Sequence, residues 1–428
     1  MAPPASVTIV FLQQTAVYFP GQTVVGRVEV TNAKPVKCEG ISMKFECSAR
    51  VNFSVVEDFS TTKGKSKTER RFYQGQEESY KSKYFLWSDP SQELAAGSHQ
   101  YPFSFVIPHS CPGSFQCKFG YVLHYCQASI IRVGMSKKIF SKRPYCVNSL
   151  LDLNMNPANK VSQQMQGMKT LCCLCCRSGP ISATIRVDRT GYVPGEAIVI
   201  CGEINNASNR KVNYTKVELF MMVTLTGKDF RGISRNKEES CKLMEFSKPE
   251  IPEGGDCFWE GHHLIIPPLP ASGLIGCNII NIVYNLKFTV QPKIPATPLI
   301  LTFPITIGSI PLHETFGNFV GGPMPYPSPS PAVGFSEKAG LDTSGEQPPH
   351  PSAPMALEDP PAYSVPYIPA FESYPDLPPP SYYRATSEDL QCVPSAPAMG
   401  DSSDDDADEQ TDFMKTFAPT YVSYNLKK

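Results

Sequence analysis

A repeated proline-glycine turn is the feature that most constrains the fold of this 428-residue chain. Residues 18–22 read YFPGQ, and residues 192–196 read YVPGE. The same spacing relates Asn32 to Asn206, and later in each half Tyr125 corresponds to Tyr284. Because the matches keep their order along the chain, the sequence predicts two related domains in tandem.

Short β-branched runs separated by Pro, Gly and Asn are typical of β-sandwiches. They predict strands near residues 7–12, 24–31, 41–47, 103–107, 121–131, 184–187, 197–204, 216–226, 264–266, 279–290 and 299–307. No long amphipathic pattern indicates a helix. The polar stretch 57–84 is longer than its counterpart in the second half, so it is predicted to contain a long basic loop.

Proline content divides the chain at residue 312. Residues 1–312 contain 22 prolines, whereas the 116 residues that follow contain 20. Such a segment cannot bury enough apolar surface to offset the entropy of ordering, so 313–428 is predicted to be a disordered tail.

Residues 1–312 hold 34 Lys and Arg against 23 Asp and Glu, a net charge of +11; the tail holds 5 against 17, a net charge of −12. Opposite charges suggest that the tail folds back onto the body.

The cysteines favour a reducing compartment. Their number is 15, an odd count, and four crowd into residues 172–176. Residues 1–19 lack the basic segment of a signal peptide, so a cytoplasmic protein with free thiols is expected.

Several segments resemble the α-arrestins, the arrestin domain-containing proteins that include thioredoxin-interacting protein. In the first half they are YFPG at 18–21, IP at 107–108 and GY at 120–121; in the second, SGPI at 178–181, GYVPGE at 191–196, WEG at 259–261, IPP at 266–268 and CNII at 277–280. The resemblance spans nearly all of 1–312.

The resemblance implies an all-β arrestin fold of two immunoglobulin-like β-sandwiches, without an active site or cofactor. The predicted divisions are an amino-terminal domain at 1–170, a Cys-rich linker at 171–180, a carboxyl-terminal domain at 181–312 and the tail at 313–428. The sequence contains no Gly-x-Ser-x-Gly elbow and no His-Glu-x-x-His pair. No catalytic residues and no metal site are therefore predicted.

Two Pro-Pro-x-Tyr motifs lie in the tail. A polyproline II segment presents its prolines to an aromatic groove of a WW domain, and the tyrosine fills a neighbouring slot. The alternative is chance occurrence in proline-rich sequence. The predicted WW-binding residues are Pro360, Pro361 and Tyr363 in the first motif, and Pro379, Pro380 and Tyr382 in the second.

In α-arrestins such motifs recruit HECT-type ubiquitin ligases that carry WW domains. The resemblance therefore implies an adaptor that links membrane receptors or transporters to these ligases, for endocytosis and endosomal transport. It would work in the cytoplasm and be recruited to the plasma membrane and endosomes. The alternative is a scaffold or redox-regulatory inhibitor like thioredoxin-interacting protein, which would use Cys257.

Two further groups of residues suggest peripheral membrane contact. Cys172, Cys173, Cys175 and Cys176 lie beside Arg177 and are candidates for S-acylation; packing at a domain hinge and a metal site are the alternatives. A basic cluster is a candidate for contact with anionic lipid or acidic cargo, and a solvated loop is the alternative. It comprises Lys63, Lys65, Lys67, Arg70 and Arg71. Nucleic-acid binding is not expected, because no recognised module is present.

Overall fold

The computed structural model describes residues 5–60, 66–134, 139–173, 176–316, 381–384 and 417–424. Nearly all of the described secondary structure is β-strand. The strands of the first half are β1 (Ala5–Phe11), β2 (Val17–Tyr18), β3 (Thr23–Asn32), β4 (Val36–Ser60), β5 (Ser66–Ser88), β6 (Glu93–Leu94), β7 (Gly97–Val106), β8 (Phe115–Cys117), β9 (Gly120–Arg132) and β10 (Ile139–Val147).

The second half begins after two short 3-10 helices, η1 (Leu153–Met155) and η2 (Pro157–Lys160). Its elements are β11 (Gln163–Cys173), β12 (Cys176–Val187), β13 (Gly191–Tyr192), β14 (Ala197–Asn206), β15 (Val212–Lys228), β16 (Ser234–Lys248), β17 (Asp256–Ile265), β18 (Ile280–Pro292), β19 (Leu299–Ile307) and α1 (His313–Phe316). Two strands belong to the tail, β20 (Ser381–Arg384) and β21 (Thr420–Ser423).

Each half is a two-layered sandwich. In the first, the sheet β1-β3-β7 packs on the sheet β5-β4-β9-β10-β2; in the second, β11-β12-β14-β17 packs on β13-β19-β18-β15. Buried apolar side chains such as Phe45 and Ile130 fill the first core, and Trp259 and Phe288 lie in the second. The predicted all-β class and the two tandem sandwiches are confirmed.

The repeated turn has the same hydrogen bonds in both halves. The amide of Gln22 donates to the carbonyl of Phe19, and Gly21 has φ +87°, as a type II turn requires at its third residue. The side chain at the fourth position then accepts from the backbone: Phe19 N donates to Gln22 Oε1 and Val193 N to Glu196 Oε2, each at 2.9 Å. The duplication read from the sequence therefore extends to individual side-chain contacts.

The predicted basic loop at 57–84 is wrong, because this stretch belongs to a long hairpin. Strands β4 and β5 stay paired from Gly40↔Ser88 to Ser60↔Ser66. From Thr68 to Arg71 the β5 side chains are exposed or half-buried on both faces, so polar residues replace the apolar alternation that identifies a strand. In β5, exposed Phe72 and buried Tyr73 alternate correctly, but the charged residues around them hide the pattern.

The predicted linker at 171–180 also differs from the structure. Strands β11 and β12 form one antiparallel hairpin that runs from Gln163↔Val187 to Cys173↔Cys176, in the sheet of the second domain. The segment that joins the domains is instead 149–162, where η1 and η2 lie. It is attached to the end of the second sandwich: Leu151 N donates to Ser309 Oγ at 2.8 Å, and Leu153 N donates to the carbonyl of Ile310 at 3.2 Å.

The two sandwiches are in direct contact. The β4–β5 hairpin reaches the second domain, where Gln74 pairs with Lys228 at the end of β15. Phe53 and Tyr73 of this hairpin belong to the same buried cluster as the core of the second domain. The hairpin therefore joins the two hydrophobic cores, and the domains are expected to unfold together.

Trp259 provides a test of the second core. Its side chain is 1% exposed, contacts the Phe288 ring edge-on and donates from Nε1 to Thr215 Oγ1 at 3.2 Å. Trp259→Ala should lower the free energy of unfolding by about 3–5 kcal/mol, since it leaves a cavity. Phe230→Ala is the matched control, because that ring is 92% exposed. Chemical denaturation measures both; equal effects would contradict the assigned core.

Candidate functional site

The predicted WW-binding motifs fall largely outside the described residues. All of the first motif (Pro360, Pro361, Tyr363) lies outside them, as do Pro379 and Pro380 of the second. The second motif nevertheless ends within β20, where Ser381 and Tyr382 are the first two residues. The backbone of Tyr382 therefore belongs to a described strand.

Strand β20 pairs antiparallel with β21, so two distant parts of the tail meet. The register is Ser381↔Ser423, Tyr382↔Val422, Tyr383↔Tyr421 and Arg384↔Thr420. The tail prediction assigned no regular structure to 313–428, and these two strands depart from it. Their pairing places the tyrosine of the second motif directly opposite Val422.

Residues 417–424, which we call the docked segment, lie against both domains. On the first domain, Cys146 Sγ and Asn148 Nδ2 donate to the carbonyl of Thr420 at 3.2 and 3.1 Å. On the second, Tyr424 N donates to the carbonyl of Pro194 at 2.9 Å, and Tyr424 Oη donates to the carbonyl of Ser309 at 2.7 Å. The segment therefore bridges the two sandwiches.

Apolar burial accompanies these hydrogen bonds. Tyr421, Val422 and Tyr424 are 2%, 3% and 4% exposed, values typical of a core. Phe417 packs in a cluster with the side chains of Tyr121, Leu123 and Tyr125 on β9. At about 25 cal/mol per Å² of apolar surface, burial on this scale is a substantial stabilising contribution. The docked segment is thus packed like part of the body.

The groove that receives the segment is called the interdomain cleft here. Tyr421 and Val422 share it with residues of both domains, among them Ser114 and Asn148 of the first and Ala271, Leu274 and Ser309 of the second. The docked segment, FAPTYVSY, contains no charged residue. The tail therefore contacts the body. In the described segment this contact consists of aromatic packing and backbone hydrogen bonds rather than of opposite charges.

The sequence does carry a signal for this segment. Phe417, Tyr421, Val422 and Tyr424 form a short aromatic and β-branched cluster in a tail with few aliphatic residues. Such a cluster favours a strand. What the sequence cannot supply is the partner, because the cleft is assembled from residues separated by more than 100 positions.

The cysteine cluster lies at the tip of the β11–β12 hairpin. Cys172 and Cys173 end β11, Cys176 begins β12, and the backbone pairs Cys173 with Cys176. Cys175 and the side chains of the other three lie outside the described residues. S-acylation and packing at a domain hinge both stay predictions for these cysteines.

The basic cluster is divided by the structure. Lys63 and Lys65 lie outside the described residues, and Lys67, Arg70 and Arg71 lie on β5 near the hairpin tip. Arg71 forms ion pairs with Glu57 at 3.4 Å and Glu69 at 3.8 Å. Part of the positive charge is therefore already neutralised within the hairpin.

Cys257, the residue on which the redox alternative depends, lies in the regular ladder of β17. It pairs with Ile204 on β14 and is half-buried, two positions before the fully buried Trp259. Nothing in this setting distinguishes it from a structural thiol.

The first core contains a buried polar network that sequence analysis missed. His124 Nε2 is 2.9 Å from the carbonyl of Pro112, to which it must donate, so Nδ1 accepts from Tyr80 Oη at 2.9 Å. Tyr80 Oη in turn lies 2.6 Å from Tyr145 Oη. Burial lowers the pKa of His124 to about 4, although the Pro112 carbonyl opposes the shift. The imidazole is therefore neutral at pH 7.

The described residues include neither a metal-binding cluster nor a membrane-spanning helix. Within residues 5–60, 66–134, 139–173, 176–316, 381–384 and 417–424, no group of His, Cys, Asp or Glu side chains is arranged to hold a metal ion. Over the same residues, no helix has the length and apolar character needed to cross a membrane.

Comparison with known proteins agrees with the fold. Residues 7–154 match the family model described as arrestin (or S-antigen), N-terminal domain, and residues 177–312 match the corresponding C-terminal domain. Arrestin domain-containing protein 17 of Caenorhabditis elegans is 29% identical over 307 residues, which are 71% of this chain and 70% of the relative.

The chain belongs to the α-arrestin family. Two further relatives are arrestin domain-containing protein 4 of Mus musculus and arrestin domain-containing protein 1 of Rattus norvegicus. The former is 28% identical over 70% of each chain; the latter is 27% identical over 66% of this chain and 62% of its own length. Members of this family are adaptors and scaffolds that bind other proteins, rather than enzymes.

The buried histidine of this α-arrestin predicts a specific pH dependence. An unfolded chain protonates its histidine near pH 6.5, whereas folded His124 resists protonation until about pH 4. Its contribution to stability is thus complete above pH 6.5 and is lost as the pH falls toward 4, at up to about 1.4 kcal/mol per pH unit.

Denaturation between pH 4 and 7.5 measures this slope. The difference in the free energy of unfolding between wild type and His124→Gln should change with pH below 6.5. Parallel curves for the two proteins would show that His124 is not held neutral.

Proposed function

We propose that this α-arrestin links membrane-protein cargo to HECT-type ubiquitin ligases that carry WW domains. The observation that carries the proposal is the pair of Pro-Pro-x-Tyr motifs at 360–363 and 379–382, attached to a two-domain adaptor fold. Ubiquitylation of the cargo would then direct it to endocytosis and endosomal sorting. This places the protein in the cytoplasm, with recruitment to the plasma membrane and endosomes.

The spacing of the motifs supports simultaneous binding. Tyr363 and Tyr382 are 19 positions apart (382 − 363). A polypeptide of this length with random-coil statistics would span roughly 25 Å, enough to reach two neighbouring WW domains of one ligase. Linked binding events raise the overall affinity, because the second motif binds at a high effective concentration.

Replacing both tyrosines tests the ligase contact. Tyr363→Ala combined with Tyr382→Ala should abolish binding of the full chain to a recombinant tandem WW protein, because each tyrosine fills a dedicated slot. Tyr367→Ala with Tyr374→Ala is the matched control, since these tail tyrosines lie outside both motifs. Titration calorimetry measures each; undiminished binding by the first double variant would overturn the proposal.

The β4–β5 hairpin is proposed as the contact for anionic lipid or for acidic cargo tails. Lys67, Arg70 and Arg71 belong to the first part of β5, close to Lys63 and Lys65 in sequence. Basic residues near an anionic surface contribute about 1 kcal/mol each, less the part that Glu57 and Glu69 already neutralise. S-acylation of Cys172, Cys173, Cys175 and Cys176 would add a second membrane attachment.

Charge reversal tests the lipid contact. Lys63→Glu, Lys65→Glu and Lys67→Glu together should reduce co-sedimentation with phosphatidylserine vesicles by at least about tenfold at low salt. Lys237, Lys242 and Lys248 changed to Glu on β16 form the control for net charge. If both triple variants lose binding equally, the hairpin has no special role.

A further inference from the structure

We propose that the interdomain cleft is a peptide-binding site whose occupant, the docked segment, withholds the second Pro-Pro-x-Tyr motif from WW domains. In this state β21 pairs with β20, so only the first motif is available. Release of the docked segment makes the second motif available and changes the tail from a monovalent to a bivalent WW ligand. The inference rests on the proposed function in taking WW domains as the ligand.

The two uses of the motif require different backbones. A WW domain binds Pro-Pro-x-Tyr in the polyproline II conformation, with the backbone accessible along the groove. In the structure Ser381 and Tyr382 are instead paired residues of an antiparallel strand, opposite Ser423 and Val422. Because Tyr382 lies only two positions after Pro380, a WW domain cannot engage both residues while this pairing persists.

The partner strand is itself held by the body, which makes the pairing more than a local hairpin. Val422, opposite Tyr382, is 3% exposed and lines the interdomain cleft. Tyr421 is 2% exposed. Tyr424 donates to two carbonyls of the second domain, that of Pro194 in the repeated turn and that of Ser309 just after the last strand. A WW domain that approaches Tyr382 would therefore meet the body as well.

The cleft is shaped for backbone at one point. Gly195 has φ +96°, and a Cβ placed there would lie 2.0 Å from the carbonyl oxygen of Tyr424. The equivalent turn of the first domain presents its glycine, Gly21, to the ring of His109 instead. The same duplicated turn is thus covered by a side chain in one domain and by the tail backbone in the other.

The pairing of β20 with β21 is weak enough for a WW domain to replace it. Strands β20 and β21 share four residue pairs, and an isolated two-stranded pair is marginal in water. The pairing consequently depends on the docked segment, whose buried aromatic residues hold β21 in place. Variants that loosen Tyr421 and Tyr424 should release β20 without disturbing either sandwich.

The test uses the full chain with one motif silenced and a single recombinant WW domain as the probe. In the Tyr363→Ala background only the second motif can bind, and adding Tyr421→Ala and Tyr424→Ala should raise its affinity at least about fivefold, because the competent fraction increases. Phe413→Ala is the matched aromatic control in the tail and should change nothing. In the Tyr382→Ala background, where only the first motif remains, the same tail changes should have no effect.

A reversible lock gives a second, independent variant. Ser381 and Ser423 are directly opposite in an antiparallel pair, where Cα atoms lie about 4.5–5.5 Å apart, within the range that a disulfide spans, so Ser381→Cys with Ser423→Cys can form one. The third motif position differs between the two motifs, Ala362 and Ser381, so Cys there leaves the ligand intact. In the Tyr363→Ala background the oxidised protein should lose WW binding and recover it on reduction, whereas each single Cys variant should bind under both conditions.

The outcomes separate this inference from the proposed function. Equal WW affinity of the second motif with and without the docked segment, and in the oxidised and reduced lock, would overturn the inference while leaving ligase recruitment intact. If a synthetic peptide of residues 374–386 and the first motif both fail to bind the WW domain, the proposed function fails, and the inference fails with it. The inference is established if the second motif alone gains WW affinity when the docked segment is loosened and loses it when the disulfide forms.

Discussion

The repeated proline-glycine turn is the element on which the rest of this structure depends. In each sandwich it connects a short parallel edge strand to the next long strand, and the side chain at its fourth position binds the backbone of its first. The glycine amide then bonds to the carbonyl of Ile107 in one domain and Ile266 in the other. One local conformation therefore fixes how the two sheets of each sandwich meet.

In the second domain the same turn also receives the tail. The carbonyl of Pro194 accepts from Tyr424 N, and Gly195 leaves room for the Tyr424 backbone. Because Thr420 is bound by Cys146 and Asn148, the tail reaches from the turn of one domain to the last strand of the other. Burial raises the pKa of Cys146 to about 11, so this thiol stays protonated and can donate to Thr420. An adaptor built this way couples its domain interface to the part of the tail that carries a ligand motif.

Much of this could be predicted from the sequence, and the physical reasons are specific. The turns were found because only a few residue types suit a type II turn, and the core strands because one face of each is apolar. The long hairpin resembles a loop in sequence because charged residues of β5 surround exposed Phe72 and buried Tyr73 and hide their alternation. The β11–β12 hairpin resembles a linker because the cysteines at its tip give no strand pattern.

The docked segment shows a different limit. Its aromatic residues are visible in the sequence, but a short strand has no preferred partner until the cleft exists. The prediction of charge attraction between tail and body was reasonable from the balance of −12 against +11. The contact between the docked segment and the interdomain cleft is uncharged, because the cleft offers apolar side chains and backbone hydrogen-bonding groups.

Hydrogen exchange of the tail in the full-length protein tests the central claim most directly. The amides of Thr420 and Tyr424 have partners on the body, Cys146 Sγ at 3.3 Å and the Pro194 carbonyl at 2.9 Å. The account predicts that peptides covering 417–424 exchange far more slowly than an unstructured chain, and that a saturating tandem WW protein accelerates their exchange. Exchange at the unstructured rate in the free protein would contradict the account.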